Sequence, residues 1–97
     1  MIKHIVFFKF KQNTAEKKIR EFEESIQALP AFIDEIRHLE SGRDVIRSER
    51  SFDMALIVDF DDLDAGERYQ KHPDHLKVIE KARNICADIK AVDYEFQ

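Results

Sequence analysis

The sequence predicts one α+β domain whose elements follow the order strand, helix, strand, strand, helix, strand. Residues 1–10 are rich in β-branched and aromatic side chains, and residues 52–60 carry a large apolar side chain at every second position, as strands do. Residues 15–29 instead repeat apolar side chains every three or four positions, as an amphipathic helix does. The chain has 97 residues, enough for a modest core, so residues 1–97 form a single domain.

The first strand is predicted over Met1–Phe10, and it carries apolar side chains on both faces. His4 and Phe8 share one face, whereas Ile5 and Phe7 share the other. A strand with two apolar faces must be covered on both sides, either by helices and a second sheet or by a partner subunit. His4 is therefore either a hydrogen-bonded interior histidine or a residue that lines a pocket.

The first helix is predicted to begin at a capping box formed by Asn13–Glu16, because a polar side chain there is followed three residues later by a glutamate. Its apolar stripe runs to Leu29 and predicts the side that packs on the core. Pro30 ends the helix, since the residue before a proline disfavours helical geometry.

The middle of the chain predicts two strands joined by a charged loop. Phe32–Ser41 is the weaker strand, because charged residues interrupt its apolar content. Arg43–Arg50 is predicted to be a loop, with a short strand at Val45–Ile46 as the alternative. Ser51–Phe60 is the clearest strand of the sequence, because its alternation is strict.

A break between two helices is predicted at a proline flanked by histidines. Asp61–Asp64 begins a short helix that carries Tyr69, and Pro73 begins a longer helix, since proline is favoured at the first helical position. His72 is then the cap of that helix and His75 lies in its first turn. The positive end of the helix dipole disfavours a protonated imidazole there, so His75 is expected to be neutral and able to act as a base.

The last two elements complete the fold class. A broad apolar helix face runs from Leu76 to Cys86, and Ile89–Phe96 alternates as a final strand. The element order is that of the ferredoxin-like fold, an antiparallel sheet with its helices on one face. Because the strands are apolar on both sides, we predict a homodimer in which two sheets pack face to face. A cavity is expected between the two sheets or between each sheet and its helices.

Composition excludes several partners. The net charge is -4 and the basic residues are scattered, which argues against nucleic acid and against an anionic membrane surface. No segment approaches the roughly 20 apolar residues that span a bilayer. The single cysteine, Cys86, is expected to be a buried small hydrophobe, and the absence of a signal-peptide pattern indicates the cytoplasm.

A metal site at the histidines is not predicted. His72 and His75 lie three residues apart and His4 could approach them, but no cysteine or carboxylate has zinc-like spacing with them. No cofactor is predicted either. The remaining histidine, His38, is expected at the surface.

Three stretches resemble the stress-responsive A/B barrel (Dabb) family, whose members are dimeric α+β barrels. They are Ile2–Val6, Phe52–Phe60 and Tyr69–His75, of which the last is the most specific. The resemblance covers essentially the whole chain. It implies a homodimeric, stress-associated protein that binds a small molecule, such as an apolar or polyketide-like compound.

Some plant members of that family are polyketide cyclases that close a ring by intramolecular aldol chemistry. The resemblance implies that His75 matches their base, Tyr69 the assisting tyrosine, His4 a pocket residue, and His72 the histidine of the His-Pro pair. The hydroxyl of Tyr69 is expected at the pocket rim, where it could orient the imidazole or a substrate carbonyl. Three functions stay open: small-molecule binding without a reaction, an enzyme that is cyclase-like or a cofactor-free monooxygenase, and a purely structural oligomer.

Overall fold

The computed structural model describes all residues from 1 to 97 and has the predicted α+β, ferredoxin-like architecture. One antiparallel sheet has the strand order β2-β3-β1-β4, and Pro73 divides the second helical region in two. The strands are β1 (Ile2–Phe10), β2 (His38–Arg43), β3 (Met54–Phe60) and β4 (Cys86–Glu95). The helices are α1 (Glu16–Ala28), α2 (Leu63–Lys71) and α3 (Pro73–Ile85), with a short 3-10 helix at Leu29–Ala31.

The core lies between the helices and one face of the sheet. The alternation predicted for β1 and β3 is confirmed, because every second side chain of each strand is buried on that face. Phe22 and Ile26 of α1 and Val78 of α3 close the core from the other side. None of the helices combines the length and apolar character that crossing a membrane requires.

The opposite face of the sheet, here called the open face, has no helix over it. It presents Ile5, Phe7, Ile57, Val92 and Tyr94, which the register places side by side. Phe7, Val92 and Tyr94 remain exposed in the single chain. The predicted arrangement, with the helices on one face of the sheet, is therefore confirmed.

The predicted capping box at the start of α1 is wrong. The N-cap is Ala15, which makes no side-chain hydrogen bond to the helix. Asn13 instead has a φ of 65°, the left-handed geometry of a turn, so it cannot adopt the extended geometry of a cap. The hydroxyl of Thr14 donates to the carbonyl of Lys11 at 2.6 Å, which stabilises this turn before the helix begins.

The second strand begins six residues later than predicted. Ile33 is fully buried, but it lies in irregular chain after the 3-10 helix, and the ladder with β3 begins only at His38. The apolar residues of this segment fill the core without forming a strand. Val45 and Ile46 are exposed in the loop after β2 and form no strand. His38 is exposed, as expected.

The third and fourth strands also differ from the prediction at their first residues. β3 begins at Met54 because the carboxylate of Asp53, and not a main-chain carbonyl, accepts the N–H of Phe10 at 2.7 Å. β4 begins at Cys86, directly after α3, where Cys86 pairs with Phe10 across a register shift. Cys86 is buried as predicted, and burial raises the pKa of its thiol to about 11.

Candidate functional site

The break between α2 and α3 positions three of the predicted site residues. The ring of His72 caps α3, because its Nδ1 accepts the N–H of Asp74 at 3.1 Å, which confirms the predicted cap. Tyr69 lies at the end of α2 and His75 in the first turn of α3. The change of direction between the helices brings their ring centroids to 4.1 Å.

A cavity of about 440 Å³ lies between the helix-facing side of the sheet and the helices α1 and α3. His4, Tyr69 and His75 all line it, so the structure brings together three of the four predicted ligand-binding residues. His72 does not line it. The apolar walls come from β1, α1, α3 and β4, and the mouth lies between α3 and β4 where Arg83 and Ile89 are exposed. This volume is within the range of small-molecule pockets.

Tyr69 is more deeply placed than the sequence predicted. Its side chain is 0% exposed, and its hydroxyl oxygen is buried without a hydrogen-bond partner in the chain. The expectation that this hydroxyl lies at the pocket rim is therefore wrong, because the ring packs between Phe60 and His75. Burial raises the pKa of Tyr69, so the phenol keeps its proton and remains a donor.

His75 is a neutral imidazole, and one of its two nitrogens makes a hydrogen bond to the main chain. Its Nδ1 lies 3.3 Å from the carbonyl oxygen of Gln70, and since a carbonyl only accepts, Nδ1 carries the hydrogen. Burial is the main cause that lowers the pKa of His75, and the neighbouring His4 and His72 act in the same direction. The lone pair therefore resides on Nε2, which makes no hydrogen bond within the chain.

The sequence left two descriptions of His4 open, an interior histidine and a pocket residue, and both apply. Its Nδ1 lies 2.6 Å from a carboxylate oxygen of Asp93, so it is a hydrogen-bonded interior histidine, and its ring also lines the cavity. The ring centroid lies 6.2 Å from that of Tyr69. Since the carboxylate accepts from Nδ1–H, it fixes the orientation and tautomer of the imidazole.

Two residues that line the cavity were missed by the sequence reasoning. Asp93 was placed in the final strand with no role, and only the cross-strand register, which pairs it with His4, gives it one. Arg83, in the last turn of α3, lies eight residues after His75 and shares its helix face. This spacing was the feature of the sequence that could have identified Arg83 as a cavity residue. No group of three or more His, Cys, Asp or Glu side chains is arranged to hold a metal ion.

Comparison with known proteins agrees with the fold and with the family that the sequence resembles. The family model described as the Stress responsive A/B Barrel Domain matches residues 2–96. The chain belongs to this family. An Arabidopsis thaliana protein described as stress-response A/B barrel domain-containing is 34% identical over 97% of this chain. The chain spans only 36% of that relative's length.

Solved structures resemble this A/B barrel domain closely. A dimeric Bacteroides fragilis protein of unknown function, with a ferredoxin-like fold, is 34% identical and has a TM-score of 0.87, with 98% of this chain and 95% of that chain covered. The hydroxynitrile lyase of Passiflora edulis has a TM-score of 0.89 at 19% identity, over 99% of this chain and 93% of that chain. The second likeness shows the fold alone.

Proposed function

We propose that this A/B barrel domain is a homodimeric small-molecule-binding protein whose ligand occupies the cavity between the sheet and α3. The observation that carries the proposal is the buried hydroxyl of Tyr69, which has no partner in the chain. A buried hydroxyl without a hydrogen bond costs about 1–3 kcal/mol. A ligand that carries a carbonyl oxygen into the cavity would accept from this hydroxyl and remove that cost.

The shape and polarity of the cavity support the same proposal. Three of its polar residues, His4, Tyr69 and His75, lie close together, and apolar side chains form most of the wall. Apolar walls with a few fixed polar groups are the usual composition of a pocket that binds and orients a small molecule. We expect an apolar compound with a carbonyl group to fit best.

Titration with methyl hexyl ketone, followed by two-dimensional amide NMR, tests this proposal. We expect saturable shift changes at the amides of the cavity walls. Ala91→Phe should abolish them, because Ala91 lines the cavity and is exposed, so the larger ring can block the mouth without overpacking the core. Ala87→Phe is the matched control, since Ala87 is an exposed alanine of the same strand that does not line the cavity. Shifts that persist in Ala91→Phe would place the ligand elsewhere.

The homodimer part of the proposal rests on the open face. Phe7, Val92 and Tyr94 form an exposed apolar surface on a sheet that has helices only on its other side. Surfaces of this kind are typical of protein interfaces. The related Bacteroides fragilis protein is dimeric.

Light scattering at micromolar concentration tests the assembly. We expect twice the mass of one chain for the wild-type protein and a shift toward the monomer for Phe7→Asp. Val45→Asp is the control, because Val45 is 86% exposed in a loop and not on the sheet. A wild-type monomer at these concentrations would contradict the dimer.

An acid–base enzyme is the second candidate, and the state of His75 favours it. The lowered pKa keeps the imidazole neutral near pH 7, so Nε2 can remove a proton from the carbon next to a ligand carbonyl. The hydroxyl of Tyr69 would donate to the carbonyl oxygen and stabilise the enolate that forms. The protonated His75 then returns the proton to carbon or to the product oxygen. The hydroxynitrile lyase of Passiflora edulis, which is an enzyme, has the same fold.

Exchange of the α-protons of methyl hexyl ketone in heavy water separates the enzyme from the binding protein. An enzyme should accelerate exchange above the buffer rate, and His75→Gln should remove the acceleration while ketone binding persists. His38→Gln is the control, because His38 is exposed on β2. Binding without accelerated exchange would leave the binding function and reject the base.

A further inference from the structure

The mouth of the cavity has a charged residue at each of its two ends. Arg83 lies at the end near Ile89, and Asp93 lies at the end near His4. The side chain of Asp93 is 51% exposed, and its carboxylate accepts a hydrogen bond from His4. Arg83 is exposed and makes no ion pair or side-chain hydrogen bond within the chain.

Arg83 is the only cationic residue other than histidine that lines this cavity. Its guanidinium offers five N–H donors in a planar fork, which matches the two oxygens of a carboxylate. An anion at the other end of the mouth would meet the carboxylate of Asp93 instead. The charges therefore favour a ligand whose anionic group points to the Arg83 end.

The distance between the two ends defines the length of that ligand. His75 and Arg83 are eight residues apart on one face of α3, which corresponds to ~12 Å along the helix axis. The ring of Tyr69, whose hydroxyl has no partner, packs against the ring of His75. Between the two ends, the wall is formed by apolar side chains such as Val78, Ile79 and Ala82.

Building on the proposed binding function, we propose that the ligand is an elongated apolar oxo acid. Its carboxylate pairs with Arg83 at the mouth, its apolar chain lies along α3, and its carbonyl oxygen accepts from the hydroxyl of Tyr69. The site thus recognises an anionic group and a carbonyl group at a fixed separation.

Three compounds of equal carbon number test this inference by calorimetric titration: 7-oxooctanoate, octanoate and methyl hexyl ketone. The wild-type protein should bind the oxo acid about fivefold tighter than the ketone, since an exposed ion pair contributes little more than that. Arg83→Gln should remove this preference by weakening the binding of the oxo acid. Lys77→Gln makes the same charge change on the same helix, where Lys77 is 77% exposed and does not line the cavity, so it should keep the preference.

The second half of the ligand is tested in the same way. Tyr69→Phe should remove the preference for the oxo acid over octanoate while the effect of Arg83 persists. The oxo-acid inference is overturned if the ketone binds but the wild-type protein does not prefer the oxo acid over it, or if Arg83→Gln keeps that preference. In either case the binding function stands. If neither ketone nor oxo acid binds to a protein whose amide spectrum shows a folded chain, both proposals fall together.

Discussion

Replacing Tyr69 by phenylalanine should stabilise the free protein, although it removes a group from the centre of the candidate site. The ring of Tyr69 packs against Phe60 at 4.9 Å and His75 at 4.1 Å between centroids, and phenylalanine would keep both contacts. The hydroxyl is buried and unpartnered, so only its desolvation cost is lost. That cost is about 1–3 kcal/mol.

We expect an increase of about 1 kcal/mol in the free energy of unfolding for Tyr69→Phe, at the lower end of that range. For a domain of this length, that corresponds to a rise of about 4–8 °C in Tm. Urea denaturation at a fixed protein concentration measures it, since a dimer makes stability depend on concentration.

Tyr69→Leu separates the hydroxyl from the ring. It also removes the hydroxyl, but it leaves a void beside Phe60 and His75, so it should destabilise the protein by about 1–3 kcal/mol. Opposite signs for the two variants would assign the cost to the oxygen atom. Destabilisation of 1 kcal/mol or more in Tyr69→Phe would refute the reasoning, because it would mean that the hydroxyl is satisfied.

Three further predictions concern the elements around the site. The pKa of His75 is lowered in the folded protein, so the unfolded chain binds a proton at this residue more readily. The stability of the wild type relative to His75→Gln is therefore fully present above pH 6.5, and it should fall as the pH is lowered through the folded pKa. Urea titrations of both proteins from pH 8 to 5 measure this difference. Asp62→Ala should cost about 1 kcal/mol, because its carboxylate accepts the N–H of Ala65 at 2.8 Å as the cap of α2, whereas Asp62→Asn should cost little. Gly66→Ala should raise the free energy of unfolding by up to about 1 kcal/mol, because the added Cβ would meet the Phe60 ring at 3.5 Å, an ordinary contact inside a helix; a loss of stability would indicate a clash.

The sequence predicted best the elements whose pattern depends on one local cause. β1 and β3 followed from alternation, and the start of α3 followed from His72 and Pro73, because capping and proline geometry act within a few residues. The start of β2 could not be predicted, because Ile33 is buried in irregular chain and an apolar residue there looks the same in the sequence as a buried strand residue. The start of α1 was misplaced because Asn13 suits a left-handed turn as well as it suits a cap.

The site was predictable only as far as its residues lie close in sequence. Tyr69, His72 and His75 lie within seven residues and could be considered together, whereas His4 and Asp93 are 89 residues apart and meet through the pairing of β1 with β4. Alternation placed Asp93 on the face opposite Val92 and Tyr94, but it did not show that this face lies under the helices beside His4. The depth of Tyr69 also depends on how α2 packs over β3, which no local pattern encodes.

The polar residues of the cavity differ in how strongly they indicate that a ligand binds there. His4 is explained by the fold itself, because Asp93 satisfies its Nδ1 at 2.6 Å. The Nδ1 of His75 is likewise satisfied by a main-chain carbonyl. Tyr69 has no such explanation, since a phenylalanine would fill the same space without burying an unpaired oxygen. In a domain whose total stability is of the order of 10 kcal/mol, that cost is substantial. A ligand that accepts a hydrogen bond from this hydroxyl offsets it, and for that reason Tyr69 supports a binding function more strongly than either histidine does.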